Sequence, residues 1–183
     1  MLARLTRRRA RNDSAHALYV ALVDQARDPA FYGTSGVPDT LDGRFDMIVL
    51  HAFLVMRRLK AAGPAGASLA QALFDVMFSD MDQNLRELGV GDLAVGRRVK
   101  TMARGFYGRV KAYDEGLAQA DDAALIAALD RNLYAAMAPA PGQVAAMAGY
   151  VRRAAAALDA DDADALLAGR PPHFPVPPAG EGT

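Results

Sequence analysis

Apolar residues recur at three- and four-residue intervals along most of this chain, the repeat of helices that bury one face. Its clearest stretch is Val95, Val99, Met102, Phe106, Val110, Tyr113 and Leu117, spaced 4, 3, 4, 4, 3 and 4, which predicts one buried stripe on a long helix. No valine- or isoleucine-rich run alternates with polar residues as a half-buried strand would. The pattern predicts an all-α protein.

Helix ends follow from local punctuation. A first helix is predicted over 13–27, capped by Asp13, with Leu18, Tyr19, Leu22 and Val23 on one face. DPAFYGTSGVPDTLDG, 28–43, is too rich in glycine and proline for a continuous helix, and its Phe31, Tyr32 and Val37 should fold it onto the core. A second helix, 42–62, is apolar nearly all round and should be central; Arg57, Arg58 and Lys60 suit its C-terminus. A third, 67–88, stops at Gly89, and Asp92 caps a fourth, 92–119. Alanine-rich helices over 121–137 and 141–159 and a short one in DADALLAG complete a single domain of about six helices.

The ends read differently. Arg4, Arg7, Arg8, Arg9 and Arg11 precede the first acid, Asp13, so residues 1–12 are expected to form a flexible basic arm touching an anionic surface weakly. They lack the apolar block of a secretory signal. GRPPHFPVPPAGEGT carries five prolines, so 169–183 are expected to be an extended or disordered tail, leaving 13–168 as the helical domain.

Composition removes several functions. The 183 residues suffice for one domain with a real core, and 21 basic residues balance 21 acidic ones, which argues against binding DNA by net field. Without cysteine there are no disulfides, thiolate nucleophiles or cysteine-rich metal sites. The most apolar window, MIVLHAFLVM at 47–56, is too short to span a membrane.

Candidate chemistry is sparse. Asp80, Asp82 and Asn84 imitate the start of a calcium loop, but Leu85 stands where that loop needs glycine and Gly91 where it needs glutamate. The three histidines, 16, 51 and 173, are too scattered for a metal site, and His51 reads as a neutral core histidine bonded to a carbonyl or carboxylate. No phosphate loop, dinucleotide motif or nucleophile elbow is present, so no metal, cofactor or enzymatic activity is expected. The fourth helix is more distinctive: Arg97, Arg98, Lys100, Arg104, Arg109 and Lys111 occur with no acid between Asp92 and Asp114. Arg97, Lys100, Arg104 and Lys111 fall opposite the apolar stripe, as a solvated face or a docking ridge. Gly96, Gly105 and Gly108 interrupt the same helix, which suggests close packing there.

ARDPAFYGTSGVPDTLDGRFDMIVLHAFLVMRRL and DVMFSDMDQNLRELGVGDLAVGRRVKTMARGFYGRVKAYD, within 26–117, closely resemble the ubiquinol-cytochrome c chaperone family. The resemblance implies an all-helical assembly factor that binds newly made cytochrome b for building respiratory complex III, without catalysis. It leaves open a small partner subunit and contact with the ribosome. It places a bacterial member at the cytoplasmic face of the inner membrane, and a eukaryotic one on the mitochondrial matrix side. Client contact is then expected from the exposed charged part of these motifs: Arg44, Asp80, Asp82, Arg86, Glu87, Arg97, Arg98, Lys100, Arg104, Tyr107, Arg109 and Lys111. Two other readings are a peripheral membrane or ribosome adaptor using the basic ridge, and a haem or quinone pocket in which His51 would matter.

Overall fold

A computed structural model describes residues 2–135, 137–140 and 142–178, with side chains from residue 5 onward. Among them are eight helices and no strand: α1 (Leu2–Ala26), α2 (Pro29–Tyr32), α3 (Leu41–Ala61), α4 (Gly63–Glu87), α5 (Asp92–Leu117), α6 (Ala123–Leu133), α7 (Gln143–Ala160) and α8 (Ala163–Leu167). The axis is α3, whose residues from Phe45 to Met56 are all buried. It packs against α1, α4, α5, α6, α7 and α8. Each large apolar side chain buried along it contributes about 1.5–3 kcal/mol, so the all-round apolar sequence of this helix is what makes one domain of the chain.

The start of α3 is fixed locally. Thr40 Oγ1 accepts from the Gly43 amide at 3.1 Å, a side-chain cap. A Cβ on Gly43 would stand 2.0 Å from the Pro38 carbonyl oxygen, so the loop closes over the helix only because residue 43 has none. That loop contains α2 and folds inward as expected, with Phe31 and Val37 buried. Tyr32 donates to the Ala26 carbonyl at 2.7 Å, and Tyr134 donates to that of Ser35 at 2.8 Å.

The basic end of α3 serves another helix. Arg58 donates to the carbonyls of Leu158 (2.8 Å) and Asp161 (2.7 Å), and Arg57 pairs with Asp159 at 3.2 Å. The Arg58 guanidinium thus satisfies carbonyls left open where α7 ends, and Arg57 adds an ion pair to the same helix end. Arg152 does the same for the chain leaving α5, donating to the carbonyls of Gln119 (3.0 Å) and Asp121 (2.6 Å).

Both ends carry structure beyond the bounds 13–168 expected for the helical domain. From Leu2 the segment read as a flexible arm is helical, continuous with the core-bound half of α1. No glycine or proline interrupts residues 2–26, arginine, leucine and alanine are strong helix formers, and Arg11 Nη1 is anchored on Ser68 Oγ at 2.8 Å. The segment 171–178 is extended but packed: Pro172, Pro177 and Pro178 are buried, and Phe174 lies edge-on to His51 with ring centroids 5.1 Å apart. His173 binds Asp161 through its amide (2.9 Å) and Nδ1 (2.5 Å). The end of the expected tail, 179–183, lies outside the described residues.

Candidate functional site

Of the predicted stripe on α5, Val95, Phe106 and Tyr113 are buried, whereas Val99, Met102, Val110 and Leu117 are half-covered. The links from α5 to α3 and α6 fall late in the helix, at Arg109 (ion pair), Tyr113 (ring contact with Phe53) and Gly116 (against Leu125). Phe106 and Tyr107 stack instead on Phe74 of α4, at 5.3 and 5.6 Å. The middle of α5 therefore leans on α4, and the two form a hairpin at whose turn end Leu88 (65%) and Leu93 (83%) are exposed.

The outer face of this hairpin carries the cations. Arg97, Arg98, Lys100 and Arg104 are exposed and have no ion-pair partner among the described residues. Arg97 Nε reaches only the Leu93 carbonyl, at 3.4 Å. Tyr107 is 60% exposed beside them, and Lys111 lies 3.8 Å from Glu115. Spacing along the helix accounts for the face: Leu93, Arg97, Lys100, Arg104 and Lys111 fall in one arc at about 100° per residue. The result is a cationic strip flanked by a leucine and a tyrosine, suited to an acidic, partly apolar surface.

The other candidates all make polar contacts within the domain. Asp80 accepts from the Tyr19 hydroxyl (2.7 Å) and from Asn84 (3.0 Å), tying α4 to α1. Arg86 pairs with Asp82 at 2.6 Å and also with Asp92, so it clasps the end of α4 to the start of α5. Glu87 accepts from Gln83 at 2.9 Å. Arg44 pairs with Asp39 at 2.6 Å and lies over the Tyr32 ring. Arg109 turns inward to Asp46 of α3 at 2.8 Å. Burial raises the Asp46 carboxyl to about 6, Arg109 opposes that rise, and Asp42 adds to it.

The glycines of α5 also divide. A Cβ on Gly105 would meet Arg109 Nη1 at 2.7 Å, so this glycine makes room for the inward-turned guanidinium. Gly96 and Gly108 have open space beyond them, not the close packing that their place in a helix suggested.

His51 is fully buried within the rings of Phe31, Tyr150 and Phe174. Its Nδ1–H donates to the Met47 carbonyl at 2.8 Å, which leaves Nε2 to accept from the Tyr150 hydroxyl at 2.7 Å. Burial lowers its pKa to about 4 from 6.5, against the opposing bond to Met47, so the ring is neutral at pH 7. With both nitrogens engaged it offers no ligand to a haem or a hydrogen bond to a quinone. Among the described residues no group of three His, Asp or Glu is arranged to hold a metal.

The chain is thus a single helical domain with a closed polar core and, on the α4–α5 hairpin, an exposed cationic strip that has no ion-pair partner among the described residues. The chain belongs to the Ubiquinol-cytochrome C chaperone family, whose model matches residues 34–174. It is 30% identical over 154 residues to the Ubiquinol-cytochrome-c reductase complex assembly factor 1 of Xenopus laevis, covering 84% of this chain and 76% of that protein. The mouse (Mus musculus) factor of the same name is 28% identical, but the match spans only 52% of its length. The crystal structure of the Cbp3 homolog from Brucella abortus superposes with a TM-score of 0.82 at 39% identity, covering 96% of this chain and 97% of that one. The fold and the family thus agree on an assembly factor of respiratory complex III.

Proposed function

We propose that this protein holds newly made cytochrome b while ubiquinol-cytochrome c reductase is assembled, and that the client docks on the outer face of α5. The observation that carries this reading is the strip of Arg97, Lys100 and Arg104, unpaired among the described residues, with Arg98 exposed to one side of it and Tyr107, Leu88 and Leu93 exposed beside it. A membrane protein awaiting assembly presents charged connecting loops next to apolar helix ends, and this strip offers both kinds of partner. Family membership and the assembly factors it resembles support the choice of client. No catalytic step is assigned to it. The reading places the protein at the inner membrane, on its cytoplasmic face in a bacterium or the matrix side in a mitochondrion. No described helix is long and apolar enough to cross that membrane.

The test is a charge reversal, Arg97→Glu, Lys100→Glu and Arg104→Glu together. These exposed sites should change stability little, by about 0.5 kcal/mol each. Expected is loss of cytochrome b co-purification at unchanged helical content and abundance, and wild-type capture that weakens as salt rises. Undiminished capture by the folded triple variant refutes docking on α5. Contact with the ribosome or a small partner subunit would appear in the same purification as ribosomal RNA or a second stoichiometric chain.

A further inference from the structure

The first half of α1 forms one wall of a cleft of about 1250 Å³, with the start of α4 and the end of α8 as the others. Ala10, Ala17, Leu69 and Leu167 give it an apolar floor, and Leu5, 58% exposed, stands at its mouth. Next to the lining residue Ala168, Gly169 has a φ of +80°, and a Cβ there would lie 2.8 Å from Ser14 Cα, so the chain leaving α8 seats directly on α1.

Arg7, Arg8 and Arg11 line the same cleft. Arg11 reaches across it to Ser68, yet its Nε is buried without an acceptor, a group that native structures usually satisfy. Among the described residues of the lining Asp13 is the one acid, against Arg8 and Arg11. Asp75, which borders Arg8 and Arg11 from the other flank of α1, accepts from Gln71 at 2.9 Å. From Leu5 to Ala17 the cleft follows α1 for about 18 Å, close to the roughly 15 Å depth of one leaflet's acyl chains.

We infer that this cleft binds an anionic phospholipid, with an acyl chain along Ala10, Ala17, Leu69 and Leu167 and the phosphate between Arg8 and Arg11. A free phosphate would use the arginines and leave the apolar floor wet. An acidic peptide would leave its backbone N–H and C=O groups unpaired against alanine and leucine. The chain of a lipid has no such groups to satisfy. The site lies on α1, α4 and α8, so it stands or falls separately from client docking on α5.

The probe is lysophosphatidylglycerol, titrated calorimetrically below its micelle concentration into the full chain, with glycerol phosphate as the head group alone. One site is expected for the lipid and none for glycerol phosphate. Reversal of two cations, Arg8→Glu with Arg11→Glu, should weaken binding on the order of thirtyfold. Ala65→Trp, an exposed position on the rim, should block the chain without touching a charge. No lipid uptake by the wild type, equal affinity for glycerol phosphate, or wild-type affinity in both folded variants overturns the inference. The triple reversal on α5 should bind the lipid normally, which separates failure here from failure of the client reading.

Discussion

Tyr150 donates its hydroxyl proton to Nε2 of His51 at 2.7 Å, a hydrogen bond between α7 and α3 at the centre of the core. Burial raises the pKa of the tyrosine, so it remains a donor, and lowers that of the histidine, so it remains an acceptor. Gln25 Nε2 continues the chain to α1, 3.3 Å from the same hydroxyl. Three helices are thereby keyed to each other by polar groups, of which His51 and Tyr150 are fully buried and have no water to fall back on.

His51→Leu strands the Tyr150 hydroxyl and Tyr150→Phe strands His51 Nε2, so each should cost about 1–3 kcal/mol. The double variant strands neither and should lose less than the sum. Urea unfolding of the four proteins measures the coupling; strict additivity would mean that the bond contributes nothing specific.

The same histidine and Asp46 give stability opposite dependences on pH. Unfolded His51 protonates near 6.5 and folded His51 near 4, so the unfolded chain binds more protons in that window and stability falls as pH drops through it. Folded Asp46 keeps its proton to about 6, against 3.8 unfolded, so its contribution falls as pH rises through that range. Each slope is at most about 1.4 kcal/mol per pH unit. Between pH 4 and 6, stability relative to wild type should rise with pH for Asp46→Asn and fall with pH for His51→Leu. Unfolding curves at pH 4, 5 and 6 check both signs, and parallel curves would mean that neither group titrates as buried.

Gly96 and Gly108 face open space on α5, whereas Gly105 receives the Arg109 guanidinium. Alanine at 96 or 108 should therefore stabilise by up to about 1 kcal/mol through helix propensity. Gly105→Ala gains the same propensity but displaces a guanidinium pinned to Asp46, so its melting temperature should fall below those of the other two. Three equal increases would show that Arg109 moves aside freely.

The helices were legible because their apolar periods are long, and α3 was legible as the centre because no polar face interrupts it. Residues 2–12 are helical where the sequence suggested an arm, for a physical reason: a run of arginines looks solvated, but arginine is a good helix former, and the anchor on Ser68 lies 57 residues away. The tail was half legible, since proline forces extension, while the contact of Phe174 with His51 depends on where the chain returns. Asp80, Arg86 and Arg109 are charged residues that read like Arg97 and Lys100 in sequence. Their partners Tyr19, Asp92 and Asp46 become neighbours only in the fold; spacing along α5 sets Arg109 off the arc of Arg97, Lys100, Arg104 and Lys111, but only the fold shows that it turns inward while they face solvent.

That last distinction can be measured on one helix with two isosteric changes, Arg104→Met and Arg109→Met. Arg104 is exposed and unpaired among the described residues, so its loss should move stability by less than about 0.5 kcal/mol. Arg109 faces a carboxylate whose side chain is only 12% exposed, and removing one member of a buried pair costs about 3–5 kcal/mol when the other must stay charged. Asp46 has a way out, because burial already holds its carboxyl near 6 and loss of the guanidinium raises it further, so the acid takes up a proton and limits the penalty. The expected cost is thus about 1–3 kcal/mol at pH 7, shrinking toward pH 5, where Asp46 is protonated in either protein. Thermal unfolding at pH 5 and pH 7 decides it. Equal losses for the two variants at both pH values would show that Arg109 is another solvated cation and return it to the outer face of α5.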